Sequence, residues 1–244
     1  MSSAPDLTTR ILRHERVLVA MSVTALAALC WWYVARAAMI GSAIMAPMRE
    51  PPVGALIVMW WLMMIAMMLP SAAPVLLLYS RIRETRNENA AIAQTWVFLA
   101  GYLAVWLLFS IVAGFAQRLV TGPSMALQNK VAEAVLLIAA GIYQVSPVKS
   151  ACIRQCRSPA EFLTCHWRPG TNGAVRLGIS HGAYCLGCCW MLMTLLFVGG
   201  IMNVLWIGGL SLLVAAEKLL SRGDVVRWVS AIALLVWGVA QLSL

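Results

Sequence analysis

Long apolar runs separated by short polar, proline or glycine breaks constrain this sequence more than any other feature. A run of about 20 apolar residues is the length that an α-helix needs to cross the hydrocarbon core of a bilayer. Seven such runs cover approximately residues 17–38, 53–79, 91–117, 131–147, 174–198, 200–220 and 224–244. The pattern predicts an all-α protein, a polytopic bundle of about seven transmembrane helices.

Composition excludes a soluble domain. Hydrophobic residues make up 62% of the chain and charged residues only 11%, whereas soluble domains are nearer one half and one quarter. The breaks between the runs are short, so we expect residues 1–244 to form a single integral membrane domain. Residues 1–16 are polar, and the run that follows is long and lacks a convincing cleavage site. We therefore expect a cytoplasmic N-terminal segment rather than a cleaved signal peptide.

The basic residues indicate orientation. The chain has 18 Lys and Arg against 9 Asp and Glu, and the basic residues fall between the apolar runs, so they do not suggest nucleic-acid binding. One side of the seven-span arrangement carries 14 of them: Arg10, Arg13, Arg16, Arg81, Arg83, Arg86, Lys149, Arg154, Arg157, Arg168, Arg176, Lys218, Arg222 and Arg227. The other carries Arg36, Arg49, Arg118 and Lys130. The positive-inside rule then predicts a cytoplasmic N-terminus and an external C-terminus in a bacterial inner membrane.

The fifth run contains a cluster of potential metal ligands, namely His181, Cys185, Cys188 and Cys189. Successive residues of an α-helix are rotated by about 100°, so these four side chains fall within an arc of about 100° and share one helix face. Thiolate and imidazole suit copper(I) or zinc. The alternative is that these cysteines are buried as small apolar residues, which is the interpretation we give to the isolated Cys30.

A second group lies in the polar segment 148–173, which is expected to be a cytoplasmic loop. This group comprises Cys152, Cys156, Cys165 and His166. The cytoplasm is reducing, so a permanent disulfide is not expected. These residues are shallow candidates for metal ligation. A thiol redox pair and inert loop cysteines are the alternatives.

The second run carries methionines at helical spacing. Met63 and Met67 fall on one stripe, and Met64 and Met68 on a second stripe beside it. Thioethers select copper(I) over hard cations, although methionine also fills gaps in packed cores. These residues and Cys185–Cys189 are expected at similar depth from opposite ends of their helices. Met45 and Met48 could extend the row outward.

Glu217 and Lys218 stand near the predicted inner end of the sixth run. Long charged side chains at such a position commonly extend to the membrane interface. We therefore expect this pair to be interfacial rather than part of the metal site.

Three segments resemble a bacterial family of predicted metal-binding integral membrane proteins, some of which are labelled copper chaperones. The first is Met63-Met64-Ile65-Ala66-Met67-Met68-Leu69-Pro70, and the second is Lys149-x-x-Cys152-x-x-x-Cys156-Arg157-Ser158-Pro159. The third is His181-Gly182-x-Tyr184-Cys185-x-Gly187-Cys188-Cys189-Trp190, followed by Met202-Asn203 and Glu217-Lys218. The resemblance covers about residues 55–220 and implies a bound metal.

Together these features favour a membrane protein that binds copper(I), with zinc possible, and delivers, inserts or transports it. The expected partners are the lipid bilayer and a protein or larger membrane complex that donates or receives metal. The chain lacks a G-x-x-x-x-G-K loop for ATP, and the sequence favours a non-enzymatic role. A membrane thiol–disulfide redox protein and an accessory or assembly subunit of a larger complex remain as alternatives.

Overall fold

The computed structural model describes residues 7–44, 52–85, 91–120 and 126–243. Within these ranges every regular element is an α-helix, which confirms the predicted fold class. The helices are α1 (Leu7–Ile44), α2 (Val53–Thr85), α3 (Ala91–Val120), α4 (Lys130–Gln144), α5 (Pro147–Arg157), α6 (Pro159–His166), α7 (Gly170–Thr194), α8 (Leu196–Gly199), α9 (Val204–Leu219) and α10 (Gly223–Ser243).

Five helical segments of the described chain are long and apolar enough to cross a membrane. They are Val17–Met39, Val53–Arg83, Ile92–Val120, Gly170–Gly199 and Gly223–Ser243. The pair α4 and α5 qualifies as a sixth when taken as one broken span, with a bend of 62° between its halves. The predicted count of seven is not confirmed, because α9 has only 16 residues.

The segment 148–173, expected to be a loop between two spans, is helical for most of its length, since α5, α6 and the start of α7 lie within it. Local signals explain the helices. Ser146 accepts a hydrogen bond from the backbone N–H of Lys149 at 3.1 Å, and Pro147 occupies the first turn of α5, where its missing N–H costs nothing. The polarity of the segment suggested a loop, whereas α5 buries Lys149 and Ile153 and packs against α7.

The tightest helix pairing brings α3 against α7. A Cβ on Gly178 would collide with the carbonyl oxygen of Phe98, and one on Gly101 with the carbonyl oxygen of Val175. Small residues therefore allow the two backbones to touch, as is common where helices meet in membranes. The contact fixes the rotation of α7 and, with it, the direction of the side chains on its buried face.

The helices at the edge of the bundle present apolar side chains outward. On α10, Val229 is 61% exposed and Val236 is 64% exposed, and Leu29 of α1 is 63% exposed. Such surfaces are compatible with contact to lipid. The core lies between α2, α3, α7 and α9, and it contains all four methionines of the two predicted stripes, at 0–1% exposure.

Candidate metal centre

Helix α7 carries His181, Cys185, Cys188 and Cys189, and all four side chains are buried. The helical periodicity therefore predicted their common buried side correctly. Cys185 stands at the middle of the apolar segment Gly170–Gly199. Backbone spacing alone would place it about 20 Å from either end of that segment.

A cysteine of α5 joins this face. The thiol of Cys156 lies close to those of Cys185 and Cys188. Cys188 and Cys189 donate to the carbonyl oxygen of Cys185, with sulfur–oxygen distances of 3.0 and 2.9 Å. We call Cys156, Cys185, Cys188 and Cys189 the thiol cluster.

Methionine and cysteine motifs meet at one point. The thiol of Cys189 donates to Sδ of Met68 on α2 across 3.6 Å, at the depth that the two helices were expected to share. Met63, Met64 and Met67 are buried along the same helix and pack into the core. Met68 thus brings a thioether to the thiol cluster.

A buried lysine contacts the thiol cluster, although the sequence pattern placed that lysine at the membrane interface. Lys218 of α9 is 6% exposed and donates from Nζ to Sγ of Cys185 at 3.0 Å and to Oγ of Ser71 at 3.3 Å. The hydroxyl of Tyr102 lies 3.2 Å from the same sulfur. The expectation that Lys218 extends to the interface is therefore wrong, because its ammonium group points into the bundle.

Glu217 is also buried rather than interfacial, at 1% exposure. Its Oε2 forms an ion pair with Nζ of Lys149 at 2.6 Å, and its Oε1 accepts from Nε2 of Gln144 at 2.6 Å. Gln144 also donates to Oγ of Ser230 at 2.6 Å. This network joins α4, α5, α9 and α10. It therefore holds α5, and with it Cys156, against the cysteines of α7.

His181 is enclosed by aromatic rings. The ring centroids of Phe162 and Tyr102 lie 5.1 and 5.7 Å from that of the imidazole. Nδ1 of His181 is buried and has no hydrogen-bond partner among the described residues. Because this nitrogen has no partner within the described chain, it is available as a metal ligand. His181 lies one helical turn before Cys185 on the same helix.

The other predicted ligands lie outside the thiol cluster. Cys152 sits over Gly187 of α7, where an added Cβ would come 2.7 Å from its sulfur. Cys165 is exposed and, with His166, lines an open cavity of about 470 Å³. Nδ1 of His166 lies 3.0 Å from the carbonyl oxygen of Phe162. Residues 45 and 48, the proposed outward extension, fall outside the described residues.

The described residues contain no group of three or more His, Cys, Asp or Glu side chains placed to hold a metal ion as they stand. The thiols of Cys188 and Cys189 are turned toward the carbonyl oxygen of Cys185. Metal binding would require loss of these thiol protons, which would end the hydrogen bonds and leave the sulfurs free to ligate. The donor types, thiol and thioether, fit a soft monovalent ion such as copper(I).

Sequence reasoning missed Lys218 and Tyr102 as neighbours of the cluster. A charged residue inside a transmembrane segment is the general signal that could have found Lys218. No comparable signal marked Tyr102, because a single tyrosine in an apolar helix resembles any core aromatic residue.

A family model described as copper chaperone (PpoB2) matches residues 57–241, about three quarters of the chain. The matched region contains the methionine stripes, the thiol cluster and Lys218. No curated protein and no solved structure matches the chain.

Proposed function

The chain belongs to the copper chaperone family, and we propose that it binds copper(I) within the membrane and passes it to or from another protein. The soft donors of α5, α7 and α2 would hold the ion. The protein could deliver the copper to an acceptor, insert it into a larger membrane complex or transport it across the bilayer.

One observation carries the proposal, namely the contact between two separate soft-ligand motifs. Sγ of Cys189 lies 3.6 Å from Sδ of Met68, although 121 residues separate the two in sequence. Packing alone requires neither sulfur at this position. Copper(I) accepts both thiolate and thioether, whereas zinc rarely uses thioether.

We assign His181, Cys185, Cys188, Cys189, Cys156 and Met68 to the metal site. Cys152, Cys165, His166 and the remaining methionines are candidates for steps along an entry or exit path. This path would run from the exposed Cys165 toward the buried cluster.

The proposed setting is a single domain in a bacterial inner membrane with a cytoplasmic N-terminus and an external C-terminus. The distribution of basic residues supports this orientation. In that setting Cys165 faces the cytoplasm, where copper(I) would be exchanged as a thiol complex.

Anaerobic copper loading tests the proposal. The wild type is expected to retain copper(I) after desalting and to show sulfur scatterers by X-ray absorption. The double variant Cys185→Ser and Cys188→Ser should remain folded and lose the metal, because hydroxyl groups are poor ligands for a soft ion. Cys30→Ser is the matched control, since Cys30 is buried on α1, which packs mainly against α2. Full copper occupancy in the double variant would refute the assignment.

The proximity of Cys156 to Cys185 and Cys188 favours one second candidate, a membrane thiol–disulfide protein. A dithiol across two helices could be oxidised to a disulfide by a two-electron acceptor. Thiol counting on protein taken from cells separates the two functions. A stoichiometric disulfide within the cluster would support the redox role and argue against copper handling.

A further inference from the structure

The ammonium group of Lys218 occupies an unusual position for a lysine in a membrane helix bundle. Its side chain is buried, and its two hydrogen-bond acceptors are Sγ of Cys185 and Oγ of Ser71. A buried charge is tolerated only where an opposite charge or suitable acceptors compensate for lost hydration. The group within 3.0 Å that can carry a negative charge is the sulfur of Cys185.

Glu217, the neighbour of Lys218 in sequence, does not provide that compensation. Its carboxylate pairs with Nζ of Lys149 at 2.6 Å and accepts from Gln144. Successive residues of a helix point about 100° apart, and here they face different partners. The charge of Lys218 is therefore directed at the thiol cluster.

We infer that Lys218 makes the site selective for monovalent over divalent soft metal ions. The inference rests on the proposed function, since it requires the thiol cluster to bind metal. A fixed positive charge repels an ion in proportion to that ion's charge. Lys218 thus opposes a divalent ion twice as strongly as a monovalent ion bound through the same ligands, whatever the number of thiolates.

The size of the effect follows from the geometry. With Nζ 3.0 Å from Sγ of Cys185 and a metal–sulfur distance of about 2.3 Å, the ammonium would lie about 5 Å from the ion. At an effective dielectric constant of about 20, one unit charge at that separation changes affinity by about 300-fold per unit of ionic charge. Removal of the charge should therefore favour the divalent ion by about 300-fold in the ratio of the two affinities.

Ag(I) and Cd(II) provide the cleanest probes, because both are soft, thiol-binding ions with the same number of electrons and different charge. Affinities would be measured by competition on purified full-length protein in detergent, under anaerobic conditions. The neutral variants are Lys218→Met and Lys218→Gln, and Lys218→Arg retains the charge. Lys130→Met is the matched control, because Lys130 is exposed at the first residue of α4.

Both neutral variants should raise the Cd(II)-to-Ag(I) affinity ratio by about 300-fold relative to the wild type. Lys218→Arg and Lys130→Met should leave it within about threefold. Lys218→Gln keeps a hydrogen-bond donor and provides the measurement if Lys218→Met does not fold. A folded neutral variant with an unchanged ratio would overturn the inference and leave copper handling intact. A wild type that binds neither Ag(I) nor copper(I) would instead refute the proposed function itself.

Discussion

The buried ion pair between Lys149 and Glu217 gives the sharpest test of how α5 is held against the cysteines of α7. Its side chains are 0% and 2% exposed, and Nζ lies 2.6 Å from Oε2. The perturbation is Lys149→Met, which keeps the length and apolar character of the side chain and removes its charge. The variant leaves the carboxylate of Glu217 buried, with Gln144 as a remaining donor.

Removal of one partner from a buried pair costs about 3–5 kcal/mol, because the other charge stays desolvated. Gln144 would still donate a hydrogen bond to Glu217 in this variant. We therefore expect Lys149→Met to lower the free energy of unfolding by about 3 kcal/mol, the lower end of that range. The double variant Lys149→Met and Glu217→Met should recover most of this loss, since replacing both charges by apolar groups is often neutral. Asp224→Asn is the control. Asp224 is 62% exposed and pairs with Arg157 at 2.9 Å, so its loss should cost at most about 1 kcal/mol.

Unfolding of the purified protein by SDS in mixed micelles, followed by circular dichroism, measures the free energies. Peptide-resolved alkylation provides a second readout, because a loosened α5 should expose Cys156. We expect faster alkylation of Cys156 in Lys149→Met than in the wild type or Asp224→Asn. A loss below about 1 kcal/mol in Lys149→Met, or a double variant no more stable than the single one, would refute the argument.

Three further predictions concern topology, redox state and methionine. Reporter fusions after residues 86, 170 and 222 should report a cytoplasmic location, and those after 48, 122 and 244 an external one. An external signal at 170 would contradict the proposed orientation. Alkylation of whole cells followed by mass spectrometry should find Cys152, Cys156 and Cys165 reduced, and a stoichiometric disulfide among them would favour the thiol–disulfide protein over metal binding. Met68→Leu and Met63→Leu should each cost less than about 1.5 kcal/mol of stability. Only Met68→Leu should weaken copper binding, because the sulfur of Met68 contacts Cys189. Equal copper affinities of the two variants would show that Met68 is a packing residue.

Helical periodicity predicted the features that depend on one helix. The common buried side of His181, Cys185, Cys188 and Cys189 follows from 3.6 residues per turn, and α7 has no break between these residues. The shared depth of Met68 and Cys189 was also predictable, because both lie near the middle of long apolar helices. Rise per residue is enough to place each of them.

Features that depend on the pairing of distant helices were not predictable. The segment that holds Cys152 and Cys156 is polar enough to suggest a loop, yet α5 is stabilised by the contact of Lys149 with Glu217, 68 residues away. A single sequence contains no information on that pairing. The location of Lys218 was not predictable for the same reason. Position in a helix does not distinguish a lysine at the membrane interface from one directed at a neighbouring thiol.

Glu217 and Lys218 connect the stability of the bundle to the chemistry of the site. Glu217 fastens α5 through Lys149 and receives a hydrogen bond from Gln144, the last residue of α4. Lys218 projects from the same turn of α9 to Cys185. A rotation of α9 would therefore change both contacts at once, so the charge beside the thiols and the position of Cys156 cannot vary independently. The thiols of α5 and α7 and the ammonium group of α9 therefore form one mechanical unit.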